Sequence, residues 1–317
     1  MSDSADRIQR IKRLKDEIYR EYGFWYYVPM SEAYDVQVPV TIGCSYNKCL
    51  FCDLNQGARF RELSLDEISG HVAKLREIHE GRSPKRFLLA GGNPFVLGSE
   101  KLLRISDIIR GNFPECEYIS AFSRADNITR KTPAELQSLH DAGYNRLCIG
   151  IESGSDDVLA FQHKGITRAE NLQAMNMLDS AGMDYSVYVM LGLGGQDMSE
   201  FHVNETASLL NVSHPFSLTV VTLVLFKGAG LVERVKSHDF HRMRPLDAFI
   251  EGRKLLSLLE INTIWDASHK TNIYPLKGRI PEHKEKLLRR IDDVIAEIES
   301  AGLKQYELKR WRKWGTE

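Results

Sequence analysis

A partial (β/α)6 TIM-type barrel, an α/β fold, is predicted by three observations. From Val36 to Leu259 the chain alternates β-branched stretches with amphipathic ones, six times over. Six βα units in a row imply a parallel sheet with right-handed crossovers, short of the eight that close a full barrel. Pro39 lies inside the first strand, and proline is confined to sheet edges. An edge first strand suits a partial barrel, whereas the common doubly wound orders bury it. The informative motifs also fall just after strands, on the face where such folds collect their ligand chemistry.

The strands are expected at Val36–Ile42, Arg86–Ala90, Tyr118–Phe122, Leu147–Ile151, Ser186–Leu191 and Leu218–Leu225. The helices are expected at Leu65–Ile78, Glu100–Arg110, Pro133–Ala142, Arg168–Ala181, Ser199–Leu210 and Leu246–Leu259. Ser64 to Glu67, Thr132 to Glu135 and Thr167 to Glu170 each match the capping box. Gly143 and Gly182 follow their helices where a left-handed residue ends one.

Asp6–Tyr22 reads as an amphipathic helix, with Ile8, Ile11, Leu14 and Ile18 on one face. An aromatic run, Tyr22 to Tyr27, follows. Residues 261–280 are mixed in pattern, Pro281–Ala301 is another amphipathic helix, and Lys309 to Trp314 mixes bases with indoles. The expected organisation is an N-terminal segment 1–35, a core 36–260 and a C-terminal extension 261–317.

The 317 residues and 43% hydrophobic content support a sizeable core. Lys plus Arg is 42 against 43 Asp plus Glu, a net charge of -1, which argues against a dedicated nucleic-acid binder. The charged N-terminus resembles no secretory signal, and no apolar run is long enough to span a membrane. A cytoplasmic protein without a membrane partner is expected. Five cysteines are an odd number for a disulfide framework, so thiolate chemistry in a reducing compartment is expected.

Three of the five form the run Cys44, Cys49, Cys52, a C-x4-C-x2-C spacing directly after the first strand. Three thiolates can hold three irons of a [4Fe–4S] cluster and leave the fourth iron open to bind a small molecule. A structural zinc needs four closed ligands. Cys116 and Cys148 are not placed by sequence to supply the fourth, and His71 is either a fourth ligand, were the chain to fold back, or a helix-surface residue, the reading preferred here. A zinc-stabilised binding or scaffold protein stays open as an alternative. So does an iron–sulfur electron carrier or sensor, which would need a fourth protein ligand.

The cysteine loop, Gly91-Gly92, the run Gly150 to Ser155 and Lys164-Gly165 together resemble the radical S-adenosylmethionine (SAM) superfamily. The similarity is to the branch related to oxygen-independent coproporphyrinogen oxidase and the tRNA methylthiotransferases, and it covers Val36 to Leu225 best. It implies a barrel of the radical SAM type in which Cys44, Cys49 and Cys52 ligate the cluster. SAM would bind the open iron. Its reductive cleavage would give a 5′-deoxyadenosyl radical that takes hydrogen from a small-molecule substrate.

The resemblance also implies the SAM contacts. Phe51 would pack near the adenine. Gly91, Gly92 and Asn93 would meet the amino group, and Glu152 with Ser153 the ribose. Lys164 and Arg124 are candidates for the carboxylate, and Gly192 for close approach to adenine. An electron donor such as flavodoxin or ferredoxin would be the protein partner. The chain departs from the family pattern in the extra residue before Cys49, in Asn93 where an acid is common, and in Tyr188 where an acidic ribose contact is common. No general base is named. His202, His269, Asn272 and Lys277 are the candidates for covering the barrel mouth.

Overall fold

The computed structural model describes residues 2–23, 32, 34–55 and 57–301. In chain order its elements are α1 (Ser2–Tyr22), β1 (Val36–Pro39), β2 (Thr41–Ile42), β3 (Arg61–Glu62), α2 (Leu65–Ile78), β4 (Arg86–Ala90) and α3 (Ser99–Asn112). There follow β5 (Tyr118–Ser123), α4 (Ala125–Thr129), α5 (Pro133–Asp141), β6 (Tyr144–Glu152), α6 (Asp156–Phe161), α7 (Arg168–Ser180) and β7 (Asp184–Leu191). The last are α8 (Ser199–Leu210), β8 (Ser217–Thr222), α9 (Leu231–Lys236), α10 (Pro245–Leu258), β9 (Thr263–Asp266), β10 (Lys277–Ile280) and α11 (Lys284–Ser300). The chain divides into two compact units, one of residues 1–47, 54–148 and 177–184, the other of 48–53, 149–176 and 185–317.

In the first unit β1, β4 and β5 pair in parallel, with the first part of β6 next in order. β1 is the end strand, as Pro39 requires. The expected strand Val36–Ile42 is broken at Val40, because Val40 serves two ladders. Its N–H donates to the Ala90 carbonyl, while its own carbonyl accepts from Leu63. Thr41 and Ile42 then turn away to pair antiparallel with β3. Fully buried Val38, Phe87, Leu89, Ile119, Leu102 and Leu136 make the core of this unit. The capping boxes at Ser64 and Thr132 form as expected.

In the second unit the end of β6 leads the order, followed by β7, β8, β9 and β10. β9 pairs parallel with β8, and β10 closes back antiparallel on β9. These two strands lie in the stretch of mixed pattern. They are four residues each, too short for a periodicity to show. Short helices α4, α6 and α9 also escaped the sequence pattern for that reason. Thr167 and Glu170 cap α7 reciprocally. Val187, Val189, Leu218, Val220 and Trp265 fill the core of this unit. Most of the aromatic run Tyr22 to Tyr27 and all of Lys309 to Trp314 lie outside the described residues. Among the described residues no helix is long and apolar enough to cross a membrane.

Candidate functional site: a cysteine loop and the strand ends

In the first unit, β2 delivers the chain to Gly43, whose φ of +68° turns the backbone into Cys44. The end of β4 lies against this turn. Gly92 donates its N–H to the Gly43 carbonyl at 3.1 Å. A Cβ on Gly92 would stand 2.6 Å from that oxygen and 2.9 Å from the Cα of Cys44, and one on Gly91 would collide with Thr41. Both glycines are therefore required by backbone approach.

Asn93 follows, almost fully buried, with its Nδ2 donating to Ser45 Oγ at 2.8 Å. Its Oδ1 has no donor among the described residues, nor have the buried Thr41 Oγ1 and Asn55 Oδ1. An unmet buried acceptor costs about 1–3 kcal/mol, so an acceptor set of this kind suits a ligand that brings N–H donors. Arg124 lies just past β5. Its Nε donates to Asp126 at 3.0 Å and its guanidinium covers the Tyr46 ring at 3.8 Å. It is buried and oriented, not an exposed loop arginine.

In the second unit, the segment carrying Cys49 and Cys52 is tied at both faces of Leu50. Leu50 donates its N–H to Gln162 and accepts from the N–H of Leu231. Phe51 is buried in an apolar cluster with Val158, Leu193, Leu223, Leu231 and Phe240, and both cysteines pack on its margin. Cys44, Cys49 and Cys52 are all half-buried, and none of the five cysteines is in a disulfide. Burial raises the Cys116 thiol and, far more, that of Cys148, which keeps both protonated and unsuited to metal. Among the described residues no three His, Cys, Asp or Glu side chains are gathered closely enough to hold a metal ion. The donor chemistry nonetheless fits an iron–sulfur cluster: three thiols within nine residues of sequence, none in a disulfide, the first of them set by the close backbone approach of Gly92.

At the last position of β6, Glu152 adopts φ +62°, a left-handed conformation that costs a non-glycine residue of order 1–3 kcal/mol. Lys164 donates to its Oε1 at 3.1 Å, and the ammonium stands 6.0 Å from the centre of the Phe51 ring. A side chain on Gly150 would occupy the place of this pair. The pair is buried rather than a surface ion pair. Ser153 Oγ meets His202 Nδ1 at 2.8 Å and accepts from the Ser155 N–H at 3.0 Å. Gly192, at φ +77°, ends β7.

One buried group was missed by sequence reasoning. Glu251 on α10 accepts from the Gly192 N–H at 2.6 Å and from the Ser199 hydroxyl. Its Oε1 lies 3.8 Å from His202 Nε2. Burial pushes the Glu251 carboxyl up to about 7 and His202 down to about 4. A lone glutamate in an amphipathic helix carries no signal of this role.

Other residues fall differently from expectation. His71 is buried beneath Tyr22 rather than on the helix surface. His202 and Asn272 are buried, and Asn272 bonds Thr222 and the carbonyls of Val220 and Ala267. Lys277 pairs with Asp266 at 2.6 Å and His269 meets Thr271 at 2.8 Å. These four serve the fold of the second unit.

The fold and the cysteine loop define a class, the α/β proteins that carry a cluster-type loop after the first barrel strand. The sequence model of the Radical SAM superfamily matches residues 38–204, just over half of the chain, and the protein belongs to that superfamily. Its cofactors are those of the superfamily, a [4Fe–4S] cluster and SAM. The heme chaperone HemW of Synechocystis sp. is 27% identical over 189 residues, 56% of this chain and 44% of that protein. HemW of Bacillus subtilis is 23% identical over 279 residues, 85% of this chain and 61% of that protein. The chain thus spans about half the length of these curated relatives. The solved structure of coproporphyrinogen III oxidase (HemN) from Escherichia coli, a radical SAM enzyme, aligns with a TM-score of 0.51 at 18% identity, over 64% of this chain and 46% of HemN. That likeness confirms the partial-barrel fold of the radical SAM type.

Proposed function

We propose that the protein is a radical SAM enzyme acting on a small organic molecule, with Cys44, Cys49 and Cys52 as the ligands of its [4Fe–4S] cluster. Held there, a reduced cluster would supply one electron for scission of the sulfonium C–S bond of SAM, chemistry that would release methionine and give a 5′-deoxyadenosyl radical able to take a hydrogen atom from substrate. The observation that carries this reading is the backbone approach of Gly92 to Gly43 and Cys44, with the unmet acceptor of Asn93 beside it.

In this reading Gly91, Gly92 and Asn93 receive the amino group of SAM. Glu152 and Ser153 meet the ribose, and Lys164 or Arg124 the carboxylate. Arg124 is already committed to Asp126 and Tyr46, which favours Lys164. Phe51 and Gly192 border the adenine. A one-electron donor such as flavodoxin or ferredoxin completes the system, in a cytoplasmic setting. Anaerobic reduction of the reconstituted protein with SAM tests the reading. Formation of 5′-deoxyadenosine supports it, and intact SAM after full cluster reduction overturns it.

The names of the HemW relatives favour a second reading, in which the protein carries heme rather than transforming a substrate. Stoichiometric hemin binding without any SAM cleavage would favour that alternative.

A further inference from the structure

The second unit contains a cavity of about 320 Å³ beyond the ends of β7 and β8. Leu191, Gly192 and residues 222–225 form one side of its wall, and the rest comes from residues 242 and 243, the start of α10 and the segment around Thr271. Leu191, Leu223, Met243, Ala248 and Ile273 make most of the lining apolar.

Its polar side chains are few and mostly committed. Thr222 Oγ1 donates to Asn272 at 2.8 Å. Thr271 Oγ1 accepts the Thr222 N–H at 3.1 Å and meets His269 Nδ1 at 2.8 Å. Arg242 is the one charged residue in the lining. Its backbone is pinned by Gln196, whose Nε2 donates to the Arg242 carbonyl at 3.0 Å. Its guanidinium has no carboxylate partner among the described residues.

We propose that this cavity is the substrate site, and that it takes a compact molecule with an apolar body and one carboxylate, which pairs with Arg242. The proposal rests on the radical SAM reading, because sharing Gly192 is what would bring a substrate beside the adenosyl group. An apolar wall with one guanidinium among its lining groups recognises an oxyanion at the edge of an apolar body. The volume lies at the low end of the roughly 300–1,000 Å³ usual for ligand sites.

The test uses the full chain and two probes, phenylacetate and its neutral isostere phenylacetamide, followed by ligand-observed saturation-transfer NMR. Phenylacetate is expected to bind at least about tenfold more tightly than the amide, a difference of about 1.4 kcal/mol. Arg242→Gln, at an exposed position, should reduce phenylacetate to the level of the amide and leave the amide unchanged. Ala248→Phe should exclude both. Absence of phenylacetate binding, equal binding of acid and amide, or an Arg242→Gln variant with unaltered preference would each overturn the proposal, as would hemin displaced competitively by phenylacetate. Cluster absorbance and SAM cleavage are followed in the same samples. Their absence in the unaltered protein would defeat the enzyme reading and leave the cavity result standing.

Discussion

Lys164 Nζ donates to Glu152 Oε1 at 3.1 Å within the second unit, from a buried position to a residue held at φ +62°. The empty Cβ position of Gly150 makes room for this pairing. A buried charge whose partner is removed is strongly destabilising, by about 3–5 kcal/mol. Lys164→Met is therefore expected to lower urea-unfolding stability by about 3 kcal/mol. The double variant Lys164→Met with Glu152→Gln should recover most of the loss. A single-variant loss under about 1 kcal/mol would show that the pair is solvated in solution.

Gly92→Ala should reduce iron incorporation on anaerobic reconstitution by more than half, because the new methyl presses on Gly43 and on the Cα of Cys44. Gly70→Ala is the control. Gly70 is exposed within α2 with open space around it, and alanine there should stabilise by about 0.5–1 kcal/mol without changing iron content. Equal iron in both variants would remove the cradle from the account.

Glu251 and His202 should oppose one another in the pH dependence of stability. Burial raises Glu251 from 4.5 to about 7, so the folded state binds more protons than the unfolded between those values. Its contribution is fully present below pH 4.5 and is lost as pH rises through about 7. Burial lowers His202 from 6.5 to about 4, so its contribution is present above pH 6.5 and lost as pH falls through about 4. Each amounts to about 3 kcal/mol, and between pH 4.5 and 6.5 the two slopes nearly cancel. Glu251→Gln should expose a stability that rises with pH over that range, and His202→Asn one that falls, in urea titrations. Parallel profiles in the two variants would contradict the opposition.

Asn93→Asp places a carboxylate where a buried Oδ1 lacks a donor. Without ligand the variant should be less stable by about 1–3 kcal/mol. With SAM, whose ammonium pairs with the new charge, the loss should be offset and the SAM-induced rise in melting temperature should exceed that of the parent. A ligand-independent loss would place Asn93 outside the SAM site.

Much of the fold was legible because long helices carry a full apolar period and their start signals are local. Leu65–Ile78 and Ser199–Leu210 fall where the pattern puts them, with Ser64 and Thr132 capping as their spacing requires. Pro39 marked its edge for a chemical reason, the absent N–H. Strands of four residues, such as Thr263–Asp266, were hidden because two periods of alternation cannot be told from chance. In the site, the cysteines and glycines could be read from chemistry that few other residues supply. Asn55, Ser45 and Glu251 could not, since an amide, a hydroxyl or a carboxylate acquires its role only from what the fold packs against it.

The most direct measurement is iron, acid-labile sulfide and zinc per chain after anaerobic reconstitution, for the parent and for Cys44→Ala, Cys49→Ala and Cys52→Ala. The account predicts iron and sulfide in equal amounts with broad visible absorbance in the parent, and loss of both in each variant. Stoichiometric zinc without sulfide, or variants that keep the iron and sulfide of the parent, would contradict it.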